Sequence, residues 1–574
     1  MYRSPVEDIL FSLRHVADLE QTLPEDLDWD TVASVIGEAG RFATEVIAPL
    51  NRPGDLEGAR CENGVVTSPK GFKDAYQQWV AGGWAGVTAA PEHGGMGLPH
   101  SVQFACSEIW NGASMGFALC PLLSEGALGA LNAYASPELQ ETYVKRIASG
   151  EWTGTMNLTE SQAGSDLNAV KSRAERQPDG TYKIFGQKIF ITYGEHDLAE
   201  NIVHLVLARL PDAPPGTRGI SLFLVPKFLV NPDGSLGARN DVRCASIEHK
   251  LGIHASPTCV MIFGDAGGAT GFLVGEENRG LAAMFVMMNS ARLCVGLQGV
   301  AIGERAYQHA VAYARERKQG RAGAAPGMSP IIEHPDVQRM LLTMKSSVQA
   351  ARGICQLTGV AIDLSRHAPT REARDAAAER AALLTPVAKA WSTDVGDEAA
   401  TLGVQVHGGM GYVEETGAAQ FMRDSRIASI YEGTNGVQAI DLVTRKVPLS
   451  GGAAVAREIA FVRAIAAQAE GKPEFGASAA RLSQAADALE RATAFVLKDQ
   501  AAALAGAYAY LKLFGLTLGG ACLVKAGLAG DAGRVALARF FAETLAVAAP
   551  GLAEVVGSGA GALAGAEAAL KEVA

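Results

Sequence analysis

The sequence predicts an α+β chain in four successive parts, and three observations predict it. Over residues 1–150 the apolar residues recur at helical spacing. From 170 to 265 they come instead in short runs with β-branched and aromatic members: KIFGQKIFIT, VHLVLARL, GISLFLVPKFLV and TCVMIFG. Turn signals such as Pro178-Asp179-Gly180 and Pro214-Pro215-Gly216 separate those runs. From 280 the helical period returns. The expected parts are an N-terminal α domain (1–150), a central β domain (151–276), a four-helix bundle (277–447) and an extra helical domain (448–574).

In order along the chain, Val6, Ile9, Leu10, Leu13 and Val16 form one apolar face over 4–20, with Ser4 and Pro5 at the N-cap and N1 positions. Further helices are expected at 30–48, 71–81 and 101–149. Between the last two lies a glycine-rich loop, Gly82 to Gly97. In the β domain, Tyr182 to Phe185 read as the return strand of a hairpin turning at Asp179-Gly180. Three long helical patterns follow 280, with loops near 320–334 and 366–371 and a fourth helix after the Gly408–Gly411 turn, as a bundle requires. The region after 450 is rich in Ala, Leu and Gly, with helical runs at 452–470, 476–509 and 532–549.

At 574 residues the chain is too long for one ordinary core. Its 48% hydrophobic and 19% charged residues are those of a soluble globular protein. A net charge of −11 argues against nucleic acid or an anionic membrane as partner. No run of 18 apolar residues lacks polar interruption, so no transmembrane helix is expected. The N-terminus interleaves acids with its apolar residues, which is unlike a secretory signal. The eight cysteines are scattered without a CxxC pair, which suits reduced thiols in a cytoplasmic protein and gives no metal site.

Four stretches carry chemistry. The sequence FMRDSRIASIYEGTNG over 421–436 places Glu432 after an apolar segment and before Gly433, Thr434, Asn435 and Gly436. A carboxylate in an apolar pocket has its pKa raised toward neutrality, as a general base needs. LTESQAGSDL (158–167) offers hydroxyls and glycine amides that suit a flat heterocycle or a phosphate. GQKIFITYG (186–194) and VQVHGGMGY (404–412) complete the set. No strand precedes the glycines at 408–411, so they are not a dinucleotide fingerprint.

In this order and spacing, the four motifs resemble those of the acyl-CoA dehydrogenase flavoproteins, over about 30–447. The start YRSPVEDILFSL and the long tail resemble the branch that includes the 3-(methylthio)propanoyl-CoA dehydrogenases. The resemblance implies FAD as cofactor and Glu432 as catalytic base. The reaction it implies is α,β-dehydrogenation of 3-(methylthio)propanoyl-CoA or another short or medium acyl-CoA, giving the trans-2-enoyl-CoA. By motif matching, Met156, Asn157, Leu158, Thr159 and Ser165 run along the flavin, with Phe190, Ile191 and Thr192 against its ring. Arg317 and Gln319 lie at its pyrophosphate. Gln405, Gly408 and Gly409 hold the adenine half of a neighbouring subunit's FAD, and Thr434 and Asn435 complete the cofactor set. Ser165, Asn289, Arg292, Tyr431 and Gly433 match substrate-side positions.

The chain departs from the family pattern at Ser161-Gln162, where Pro-Gly is usual, at Gln319-Gly320-Arg321, where an aromatic is missing, and at Asn289, where Asp is usual. The residue before Arg292, which is the base in some relatives, is Ala291. The resemblance further implies an electron-transfer flavoprotein as acceptor. With a tail covering the bundle, a homodimer is expected. The alternative is a same-fold FAD-binding protein of another activity, either an oxidase or a non-catalytic stress-response protein. The oxidase relative has Asp at the place of Glu432. The stress-response relative has a basic tail, whereas acids and bases balance after residue 450 here.

Overall fold

The computed structural model describes residues 2–323 and 326–571. The chain divides into two compact units. One comprises Met1–Gly40, Phe104–Gly112 and Arg292–Ala574, and the other comprises Arg41–Gln103 and Ala113–Ala291.

The second unit is built on an eight-stranded sheet. Its path runs Val242–Ile247, Thr258–Phe263, Tyr182–Thr192, Ala269–Val274, Ile220–Pro226, Asn201–Arg209, Trp152–Asn157, with Arg173–Arg176 pairing off this path. Neighbours are antiparallel except that Trp152–Asn157 and Arg173–Arg176 each run parallel to Asn201–Arg209. The expected hairpin is present, with Arg176 opposite Tyr182 and Arg173 opposite Phe185. Asn201–Arg209 and Ile220–Pro226 are buried almost throughout, which explains their unbroken apolar runs. The helix Met115–Tyr134 packs on Trp152–Asn157, and Ser124 Oγ accepts from Gly154 N at 3.1 Å. This unit also holds a short hairpin, Arg60–Glu62 with Val65–Thr67, turning at Asn63 and Gly64, both at positive φ. That hairpin corrects the all-helical reading of residues 1–150; its strands are too short to show a period.

The first unit is helical. Gly280–Glu316 enters it at Arg292, and Pro335–His367 and Arg371–His407 complete three long helices. The helices from 292 and 371 approach closely at Gly296 and Gly299, where an added Cβ would strike the Ala388 and Ser392 backbone. The fourth member is broken into Ala418–Ser425 and Asn435–Asp441. The helix near the N-terminus is Val6–His15, with Ile9 and Leu13 fully buried. Ser4 does not cap it; its hydroxyl donates to Gly40 O at 3.0 Å.

The region after 450 forms the helices Ala453–Ala469, Ser478–Lys498, Ala507–Ala529, Ala532–Phe540 and Ala549–Ala562. Ala507–Ala529 is central, lies against the bundle helices Pro335–His367 and Arg371–His407, and is absent from the sequence expectation. Apart from Tyr508, Lys512 and Lys525 it is apolar nearly all round, so it carries little amphipathic period. Glycines let it approach: a Cβ on Gly515 would fall on the Trp391 ring, and one on Gly353 would lie 2.8 Å from Cys522 Cβ.

Gly280–Glu316, Gln500–Ala529 and Ala532–Ala562 are each long and apolar enough to cross a membrane by length and composition. Their interruptions are mostly uncharged residues such as Gly, Ser and Thr, which a criterion of unbroken apolar runs overcounts. The most apolar windows of the first two are 61% and 78% buried within the protein, and that of the third 33%.

Candidate active site

Glu432 sits in the break of the fourth helical run. It has φ 56°, and Gly433 follows at φ 84°. A non-glycine residue in the left-handed region costs about 1–3 kcal/mol and persists where surrounding structure holds it. Here each carbonyl of the turn is held by one buried side chain. Gln438 Nε2 donates to Glu432 O at 3.1 Å, and Lys389 Nζ donates to Gly433 O at 2.9 Å. Thr434 then restarts the helix as N-cap, its Oγ1 accepting from Val437 N at 3.2 Å. Among the described residues the Glu432 N–H donates to no protein group.

The Glu432 side chain is half-buried. Burial raises its carboxyl to about 7, against the opposing charges of Arg292 and Lys389. Arg292 is buried and is itself pushed down by burial, with Asp441 and Glu432 pulling the other way; its Nε has no partner among the described residues. Tyr431 donates its hydroxyl to Gln298 Oε1. Arg292, Tyr431, Glu432 and Gly433 are thus neighbours in this unit. Asn289 is exposed on the same helix as Arg292, within the stretch assigned to the other unit.

Asn435 departs from its expected role. Its amide is turned into the bundle, donating to Ala390 O, Thr393 Oγ1 and Asp394 Oδ1 and accepting from Lys389 Nζ. Only its backbone remains for a cofactor. Sequence reasoning also missed Lys389, Gln438 and Asp394. The one signal for Lys389 is a charge inside the apolar run LTPVAKAW, where a buried cation needs partners.

In the other unit the structure brings LTESQAGSDL and GQKIFITYG together. Ile189 N donates to Thr159 O at 2.9 Å, and Lys188 Nζ donates to Leu158 O and to Glu160 Oε1. Glu160 also accepts from Lys171 N, Ser172 N and Gln162 Nε2. Burial pushes its carboxyl up, but Lys188 and these donors outweigh burial and bring it to about 2. Ser161-Gln162, in place of the usual Pro-Gly, thereby closes the loop through Gln162. Met156 and Asn157 end the strand Trp152–Asn157. Asn157 is fully buried, and its Oδ1 has no partner among the described residues. Phe190 stands 59% exposed at φ 61°, with Thr192 half-buried beyond it. A strained, exposed aromatic is out of place in a sheet core and suits a flat ligand face. The Ile191 side chain is in the sheet core, 2% exposed, which leaves its backbone for a cofactor. Leu158 is likewise buried, and Ser165 is exposed.

Arg317 and Gln319 are exposed in a loop after Gly280–Glu316. Backbone bonds from Ile331 N to Arg317 O and from Gln319 N to Ser329 O strap that loop. Gln405, Gly408 and Gly409 are exposed where Arg371–His407 ends, with Gly408 at φ 60°. Among the described residues no group of three metal-ligating side chains occurs.

A sheet and a helical bundle with a raised carboxyl on a strained turn are compatible with a flavin-dependent dehydrogenase of thioesters, and similarity to known proteins shows that class. Four family models match in order: "Acyl-CoA dehydrogenase, N-terminal domain" (34–151), "middle domain" (155–266), "C-terminal domain" (278–447) and "Acetyl-CoA dehydrogenase C-terminal like" (458–567). The chain is 49% identical to 3-methylmercaptopropionyl-CoA dehydrogenase of Ruegeria pomeroyi, over 92% of each chain. Among solved structures, Caenorhabditis elegans ACDH-11 in complex with C11-CoA matches with TM-score 0.79, at 21% identity over 95% of this chain and 92% of that one. An acyl-CoA dehydrogenase complexed with FAD from Bacillus anthracis matches with TM-score 0.74, at 20% identity over 93% and 89%.

The chain belongs to the acyl-CoA dehydrogenase family, in the branch of its Ruegeria relative. It is an FAD-dependent oxidoreductase acting on acyl-CoA thioesters. The residues fit that cofactor: an exposed aromatic beside a hydroxyl at Phe190 and Thr192, and an unpaired buried amide oxygen at Asn157.

Proposed function

We propose that the chain dehydrogenates 3-(methylthio)propanoyl-CoA, with Glu432 as the base. The observation that carries the base is the Glu432 turn, where burial brings a carboxyl to about 7 and two buried side chains hold the backbone. Similarity to the Ruegeria enzyme along nearly the whole chain supports the substrate. The α-proton of a thioester is weakly acidic, so its carbonyl must be polarised as the proton leaves. The Glu432 N–H is the chain's own donor for that oxygen. The Glu432 carboxylate takes the proton from the α-carbon and becomes the neutral acid that burial favours. Bound FAD supplies the two-electron acceptor for the β-carbon hydride. Arg292, beside the base, opposes its protonation and keeps enough carboxylate at neutral pH.

The cofactor set in this reading is Met156, the Asn157 amide, Leu158, Thr159, Ser165, Phe190, the Ile191 backbone, Thr192, Arg317, Gln319, Thr434 and the Asn435 backbone. Gln405, Gly408 and Gly409 serve the FAD of a second copy, so the working enzyme is at least a homodimer. Asn289, Arg292, Tyr431 and Gly433 serve the substrate, Ser165 doing so as well. Reduced enzyme passes electrons to an electron-transfer flavoprotein. Eight cysteines free in the structure suit a reducing cytoplasm.

The test is a panel of acyl-CoAs from propanoyl to palmitoyl, including 3-(methylthio)propanoyl-CoA, with flavin bleaching as readout. The highest kcat/KM is expected for the methylthio substrate. Equal or better turnover of palmitoyl-CoA would overturn the substrate.

A further inference from the structure

We propose that the helical region after residue 450 sets the geometry of the Glu432 turn, through Tyr508 acting on Asp394 and Asn435. Tyr508 is then a positioning residue of the dehydrogenation. The inference rests on Glu432 being the base.

Asn435 is the nearest side chain on the C-terminal side of the turn that is fully engaged. Its Oδ1 and the Gly433 carbonyl share one donor, Lys389 Nζ, at 2.9 Å each. Its Nδ2 donates to Asp394 Oδ1 at 2.8 Å. The amide plane of Asn435 is held by Ala390 O, Thr393 Oγ1 and Asp394 Oδ1 together, and of these three Asp394 is the one whose direction the tail can set. The other Asp394 oxygen accepts from the Tyr508 hydroxyl. Tyr508 lies in the first turn of the helix Ala507–Ala529. That helix is anchored independently of its hydroxyl by fully buried Tyr510, Leu511 and Phe514 and by the approach of Gly515 to Trp391. The result is one hydrogen-bonded line from the tail to the turn: Tyr508, Asp394, Asn435, Lys389, Gly433.

Two features argue that the line positions rather than merely stabilises. Tyr508 is 40% exposed, so losing its hydroxyl opens no cavity. Asp394 also faces three charged groups, Lys512, Asp397 and the buried Lys389, so without Tyr508 the carboxylate is free to turn between the two cations. Such a turn would shift the Asn435 amide within its remaining bonds to Ala390 O and Thr393 Oγ1 and change the hold of Lys389 on Gly433 O. A displacement of about 1 Å at a reacting group is enough to cost about 10²-fold in rate.

The experiment uses the full-length FAD-loaded enzyme and anaerobic stopped-flow bleaching with 3-(methylthio)propanoyl-CoA or, if that is not turned over, butanoyl-CoA. In Tyr508→Phe, FAD content, melting temperature and KM should stay at wild-type values. The bleaching rate should fall about tenfold and the α-deuterium isotope effect should rise. Asp394→Asn should give the same loss, and Tyr508→Phe combined with Asp394→Asn no more than either alone, because one line is cut once. Glu432→Gln runs alongside. If Glu432→Gln stops bleaching while Tyr508→Phe matches wild type in rate and isotope effect, the positioning role is overturned and the base stands. If the two single losses multiply in the double variant, the line is overturned. If Glu432→Gln bleaches normally, the base reading falls and this inference with it.

Discussion

Glu432 carries two demands that pull apart: it must be buried enough to hold a proton near neutrality and charged enough to remove one. Its carboxyl at about 7, raised by burial and restrained by Arg292 and Lys389, meets both. With the pKa raised, the base is active above it and silent below. kcat/KM should therefore fall as pH drops through about 7, and Glu432→Gln should lose turnover by about 10²–10⁴-fold while keeping FAD. A pH profile flat from 6 to 8 would contradict the assignment. Stability has the opposite sense: a raised carboxyl favours the fold below its unfolded value and loses that contribution as pH rises through 7. Glu432→Gln should remove this part of the pH dependence in thermal melts. Glu432 was legible in the sequence because its glycine neighbours are local. Lys389, Gln438 and Asp394 were not, because what makes them matter is a carbonyl, or an amide bound to one, that folding brings to them.

Among the elements, the loop 158–167 depends on one buried pair. Lys188, fully buried, and Glu160 satisfy each other and four further groups. Lys188→Met leaves a carboxylate without its cation, which costs about 3–5 kcal/mol. A marked drop in melting temperature with weakened FAD retention is the expected result; an unchanged melt would mean the pair is dispensable. The helix Ala507–Ala529 gives a second case. Gly515→Ala adds helix propensity of about 1 kcal/mol, yet its Cβ meets Trp391, itself packed on Phe541. Overpacking costs about 1–3 kcal/mol and should win, lowering the melting temperature. A stabilised variant would show that Trp391 yields. The strands were legible because each apolar run is bounded by turn residues. This helix was not, because burial of nearly all its residues erases the periodicity by which a helix is read.

At the scale of the whole molecule, the tail lies on the bundle helices Pro335–His367 and Arg371–His407. With the tail covering the bundle, a homodimer is the expected assembly. Light scattering at micromolar concentration should give the mass of two chains, and a mass near four would overturn it. Deleting everything after Ser450 uncovers Trp391 and the apolar surface about it. The truncated chain should aggregate or assemble further. A soluble, active dimer from that truncation would show that the cover is not needed.

The tail also grips the other end of the sequence. Arg534 donates to Asp8 at 2.8 Å and stacks 3.6 Å from the Phe11 ring, and Lys525 reaches Val16 O and pairs with Asp18. Contacts spanning more than 500 residues must wait for nearly the whole chain to emerge during synthesis. The helix Val6–His15 is made first and packs on Pro335–His367 as well as on the tail, so its cover is completed only when the tail emerges. Until then the tail-facing surface of the bundle stands uncovered, which makes this unit a natural client for chaperones on the ribosome.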